Sequence, residues 1–144
     1  MLGWVIACHG YKAEEFLERL TEYGGSMPQC RAINYWEGLS HNMLGRMMCD
    51  AMHETDSGQG VIFLTDKAGA APYCAAALMS HKHPHCEVIS GISFGLLLDM
   101  LPWRSVMSSQ RFRQAIVARG GDSVTSLWHQ QQKNPPFVLI PPAI

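Results

Sequence analysis

The chain lacks several features that would each point to a function class. No apolar stretch is long enough to cross a bilayer, and there is no CxxC pair, internal repeat or low-complexity linker. Charged residues make up only 16% and nearly cancel, at a net charge of −1. The first absence excludes a spanning helix, and the balanced charge gives no basic face for nucleic acid. Glu14, Glu15 and Glu18 follow soon after the first apolar run, where a secretory signal would carry a basic region and a cleavage site. The five cysteines (Cys8, Cys30, Cys49, Cys74, Cys86) are odd in number and scattered. They fit a reduced, cytoplasmic protein better than a disulfide scaffold. What is present is a 144-residue chain with 47% hydrophobic content, enough for one domain with a real core and too apolar for disorder.

Apolar runs alternate with helical periodicity along the chain. Residues 2–8 are continuously apolar and read as a buried parallel strand. Residues 12–23 carry Phe16, Leu17, Leu20 and Tyr23 at helical spacing and end at Gly24-Gly25. Residues 29–36 alternate more and suit a strand nearer a sheet edge. Ser40 caps the next predicted helix, whose one side carries Leu44, Met47, Met48, Ala51 and Met52. Residues 60–66 form a third strand, and Pro72 suits the first turn of the following helix. Residues 86–91 are a fourth strand, 94–101 and 108–119 read as helices around Pro102, and 124–128 are a candidate fifth strand. The pairs Pro135-Pro136 and Pro141-Pro142 leave residues 137–140 as an edge segment or docked tail. The pattern predicts an α/β fold with a doubly wound, mostly parallel sheet. It places one domain over residues 1–128, with a proline-rich tail over 129–144.

The first strand ends on His9-Gly10 and the third on Asp66. Open α/β sheets place ligands at the carboxyl ends of their strands, so adjacent strands would project both side chains from one edge. A carboxylate accepting Nδ1–H fixes the imidazole tautomer and leaves Nε2 as nucleophile. The turn Gly69-Ala70-Ala71-Pro72 offers backbone N–H groups to an anion. Together these are the parts of a phosphoryl-transfer site, a chemistry that relies on positioning and charge stabilisation. No Walker-type loop is visible, nor any metal-binding pattern at these strand ends.

The remaining clusters read more blandly. His81-Lys82-His83-Pro84-His85-Cys86 contains proper metal ligands, but Pro84 makes it a helix exit and an exposed loop. His41, His53 and His129 read as surface or interface residues. The stripe of Met43, Met47, Met48 and Met52 reads as core or dimer packing. Arg104, Arg111, Arg113 and Arg119 read as a solvated helix face.

These blocks resemble a known family. Ala7-Cys8-His9-Gly10, the stretch from Asp56 through Asp66 with Gly69-Ala70-Ala71-Pro72, and Glu87-Val88-Ile89-Ser90-Gly91 with Leu96-Leu97-Leu98 are similar in order and spacing to EIIA domains of the mannose class of the bacterial sugar phosphotransferase system. The likeness spans roughly residues 1–120 and leans toward the N-acetylgalactosamine-type branch and its uncharacterised enterobacterial relatives. It implies a cytoplasmic phosphocarrier that takes a phosphoryl group from HPr onto His9, oriented by Asp66, and passes it to an EIIB protein for sugar uptake. The phosphoryl group would be held by Gly10, Gly69, Ala70 and Ala71. The resemblance also implies a homodimer exchanging an antiparallel C-terminal strand, with membrane contact only through an EIIC/EIID permease. The chain departs from the family pattern in carrying Ala71 in place of a serine, Cys74 in place of an asparagine, and Ser93-Phe94-Gly95-Leu96 in place of Asn-Leu-Pro-Met. Three other readings stay open: a regulatory module, the phosphotransfer subunit of a dihydroxyacetone kinase, and a metal-binding protein using His81, His83, His85 and Cys86.

Overall fold

The computed structural model describes residues 1–133; the two proline pairs and residues 137–140 between them lie outside the described residues. Strand β1 (Gly3–His9) has neighbours on both sides, β2 (Cys30–Tyr35) and β3 (Val61–Thr65), each parallel to it. A strand flanked on both edges and covered on both faces must be apolar throughout, which is why β1 reads as an unbroken hydrophobic run. Strand β4 (Cys86–Ser90) pairs parallel with β3, and β5 (Thr125–Ser126) runs antiparallel to β4, giving the order β2-β1-β3-β4-β5.

Helices cover both faces. On one side α1 (Lys12–Gly24), α4 (Phe94–Met100) and α5 (Ser109–Gly120) pack Leu20, Leu97, Phe112 and Ile116 onto Trp4, Ile6, Ile62 and Leu64. On the other, α2 (His41–Thr55) and α3 (Ala71–Lys82) pack Leu44, Met48, Tyr73 and Ala76 onto Val5, Ala7, Val61 and Phe63. The alternation within β1 thus divides its side chains between two cores. Each fully buried leucine, isoleucine or phenylalanine contributes about 1.5–3 kcal/mol. The predicted doubly wound sheet is the observed one, with one antiparallel pair at its edge.

Three expectations are corrected. The segment 124–128 is strand for only Thr125–Ser126, after which α6 (Leu127–Lys133) begins. The reason is local: Ser126 Oγ accepts the His129 N–H at 3.1 Å and so caps the helix. Helix α6 continues past residue 128, and β5 pairs with β4. Second, the four arginines do not share one solvated face: Arg111 and Arg119 are exposed, but Arg104 and Arg113 are buried. Arg104, in a 3₁₀ turn (Leu101–Ser105), is 3% exposed and donates to the carbonyls of Leu2, Pro28 and Gln29 at 2.8–3.2 Å. Arg113 is buried too. It pairs with Glu87 at 3.2 Å, and its guanidinium lies 4.4 Å from the Trp128 ring centre. Third, the methionine stripe splits: Met48 and Met52 are core, whereas Met43 is exposed.

Gly91 sets the edge of the sheet. Its φ is +82°, and a β-carbon there would collide with the Ser123 carbonyl. Only glycine lets the segment before β5 lie this close to the end of β4.

Candidate active site

The parallel register brings the ends of β1 and β3 together: Ala7 is opposite Thr65, so His9 and Asp66 leave the sheet at the same edge. On the other side His9 is opposite Tyr35, whose ring meets the imidazole in a T-shaped contact at 5.4 Å. Gly10 turns the chain away with φ +62° and donates its N–H to the Tyr35 carbonyl at 2.7 Å. This clamps the histidine's backbone between two strands.

Asp66 grips the same residue from the opposite side. Its Oδ2 accepts from the His9 backbone N–H at 3.2 Å and from the ring Nδ1 at 3.0 Å, while Oδ1 lies 3.2 Å from Nδ1. A third donor, the Lys12 ammonium at the start of α1, reaches Oδ2 at 3.3 Å. Burial works to raise the Asp66 pKa, but the His9 ring, the His9 backbone N–H and Lys12 together outweigh it and hold the carboxyl below its ordinary value. An ionised carboxylate only accepts hydrogen bonds, so Nδ1 carries the proton. Nε2 of the neutral ring then keeps its lone pair. The Asp66 side chain is 9% exposed and that of His9 is 40% exposed, so the carboxylate is sheltered and the imidazole is open.

The neighbouring thiol is no competitor. Burial pushes Cys8 up to about 12, with Asp66 adding to the shift and Lys12 opposing it.

The turn after β3 contributes less than expected. Ala70 is buried and its N–H is spent on the Lys67 carbonyl at 3.3 Å. The Gly10 N–H is likewise spent on Tyr35. Both N–H groups are therefore already engaged within the protein. Pro72, within the first turn of α3, has no N–H. Among the described residues, the N–H groups of Gly69 and Ala71 are without a protein acceptor. A cleft of about 460 Å³ opens beside Asp66 and continues past Lys67, Ser90, Thr125, His129 and Lys133.

The His81–Cys86 segment gathers no ligand set: among the described residues, no group of three or more His, Cys, Asp or Glu side chains is placed to hold a metal ion. Instead His83 packs its ring edge-on against His53 at 5.6 Å. Lys12 and Tyr35 are the site residues that sequence reasoning did not find. Their signal was positional: Lys12 opens the helix that follows β1, and Tyr35 ends the neighbouring strand β2.

A sequence profile of the EIIA-man family, described as the PTS system fructose IIA component, matches residues 3–117. The chain belongs to this family. Its members are IIA components of the sugar phosphotransferase system, and such components are phosphotransferases. The chain is 61% identical over 139 residues to YadI of Escherichia coli (strain K12), a protein named as a candidate phosphotransferase enzyme IIA component, with 96% of this chain and 95% of YadI covered. It is 29% identical over 97 residues to the mannose-specific EIIAB component of the same organism, covering 67% of this chain and 30% of that longer protein. The fold is also that of EIIA from Streptococcus agalactiae, with a TM-score of 0.74 at 19% identity over 83% of this chain and 92% of the other. No helix among the described residues is long and apolar enough to cross a membrane.

Proposed function

We propose that this EIIA-family protein is a cytoplasmic phosphocarrier that accepts a phosphoryl group from HPr on Nε2 of His9 and passes it to an EIIB partner for sugar uptake. The observation that carries the reading is the double hold of Asp66 on His9, ring and backbone together. The transfer balances without a metal. The P–N bond of the donor phosphohistidine breaks, and its electron pair returns to the donor imidazole. The Nε2 lone pair of His9 forms the new P–N bond, and its ring takes up positive charge with the Nδ1 proton still held by Asp66. The second transfer repeats the step on EIIB. Gly69 and Ala71 supply the turn's free N–H groups to the phosphoryl oxygens. In a homodimer, β5, which here pairs with β4 of its own chain, would instead exchange onto the partner's β4.

The spent N–H groups of Gly10 and Ala70 favour a second reading, a regulatory module that is phosphorylated without onward transfer. The test is incubation with phosphoenolpyruvate, Enzyme I and HPr, followed by intact mass beside a His9→Ala control. Gain of one phosphoryl group in the wild type alone supports the phosphocarrier. Discharge on adding EIIB separates transport from regulation. No gain under conditions that charge another EIIA overturns both.

A further inference from the structure

The site has one member that the phosphocarrier reading leaves without a task. Lys12 is the first residue of α1, and its side chain is 48% exposed. It is nonetheless aimed at the Asp66 oxygen that also holds the His9 backbone and ring. A lysine on a helix start ordinarily extends into solvent, and the positive end of a helix dipole repels it. Its placement over Asp66 is therefore maintained by the carboxylate against a local cost.

The surroundings give this contact a purpose. An incoming phosphoryl group is an anion, and Asp66 is an anion directly behind the atom it must reach. The turn offsets only part of that charge: the Gly69 and Ala71 N–H groups are open among the described residues, but residue 71 is an alanine with no hydroxyl, Pro72 has no N–H, and the Gly10 and Ala70 N–H groups are already bonded. We propose that Lys12 is a positioning residue for phosphoryl transfer, setting the charge of the His9–Asp66 pair so that the site presents no net negative charge to the arriving group. It acts through Asp66, 3.3 Å away, and leaves the Nδ1 contact of the ring intact. The inference rests on the phosphocarrier reading and deepens it.

A competing effect has the opposite sign. Lys12 draws on the same Oδ2 that steadies the ring, so removing it would strengthen the hold of Asp66 on Nδ1 and could speed attack by Nε2. The sign of the rate change on removing Lys12 decides between the two effects.

The experiment uses Lys12→Gln, Lys12→Met and Lys12→Arg in the full chain, with two donors: phospho-HPr and phosphoramidate, a small donor that releases ammonia when its P–N bond transfers phosphorus to Nε2. Rates are followed by intact mass at about 50 mM and 300 mM salt, with circular dichroism to verify the fold. Lys12→Gln and Lys12→Met should charge about tenfold more slowly at low salt, with the deficit shrinking at high salt as the charges are screened. Lys12→Arg should stay within about twofold of the wild type. A merely structural lysine would give a deficit indifferent to salt. Neutral variants that charge as fast as wild type or faster, with either donor, overturn the inference while leaving the phosphocarrier reading standing. Failure of the wild type to charge from either donor overturns both.

Discussion

Asp66→Asn is the sharpest perturbation of the site. The amide can still present an oxygen to Nδ1–H, so geometry is largely kept while the charge is removed. When Nε2 takes the phosphoryl group, the ring gains positive charge with the carboxylate in contact at 3.0–3.2 Å. Unit charges about 4 Å apart attract by roughly 4 kcal/mol at an effective dielectric near 20. Two features reduce that figure. The His9 side chain is 40% exposed, and Lys12 already shares the carboxylate. About 1.5–3 kcal/mol remains, which corresponds to charging roughly 10–100-fold slower. Loss of an orienting partner costs about the same range in other histidine sites. The assay is quenched-flow phosphorylation by phospho-HPr read by intact mass, with thermal unfolding as a fold control. A folded Asp66→Asn protein that charges within threefold of the wild type would refute the orienting role.

The same carboxyl gives a pH signature. Its folded pKa lies below its ordinary value, so its stabilising contribution is complete above the unfolded carboxylate range and is lost as pH falls through the depressed folded value. The stability difference between wild type and Asp66→Asn should therefore shrink on acidification, as urea titrations at stepped pH would register. Glu87 has the opposite sign: burial raises its pKa against the pull of Arg113, so stability linked to it is full at low pH and declines as pH rises through the raised value. Glu87→Ala leaves the Arg113 charge buried without its partner and should cost about 3 kcal/mol in chemical denaturation. Gly91→Ala meets the Ser123 carbonyl at a positive φ and should cost about 3 kcal/mol, with hydrogen exchange rising first at β4 and β5. Cys8 and Cys30, pushed up to about 12 and about 11 chiefly by burial, should resist thiol reagents at neutral pH until the protein is unfolded.

The sheet was legible because its strands are buried on both faces. A continuous run such as that of β1, or Val61 to Thr65, admits few alternatives at that length. The proline in the first turn of α3 and the Ser40 cap, whose Oγ accepts the Met43 N–H at 3.1 Å, announced two helix starts correctly. Ser126 was the overlooked cap. Within a short β-branched stretch its hydroxyl looked like a strand residue, and its cap contact with His129 becomes visible only when β5 ends against β4. His9 and Asp66 were legible because each ends an apolar run. The availability of N–H groups was not, since whether a turn amide is open depends on the carbonyl it meets in three dimensions. Nor were the buried arginines, whose partners lie far away in sequence: Glu87 for Arg113 and residues 2, 28 and 29 for Arg104.

Arg104 also bears on the order in which the molecule is completed. The strand that carries His9 comes well before Arg104 in this sequence, yet the Leu2 carbonyl that leads into it is held by a guanidinium 102 residues later. Loops that long close late, because their entropy must be spent before any contact rewards it. A chain stopped before residue 104 would therefore hold His9 on a strand already paired with β2 and β3 but with its leading carbonyl still lacking the guanidinium. The mounting of His9 is thus begun by its neighbouring strands and completed only when the loop that ends at Arg104 closes.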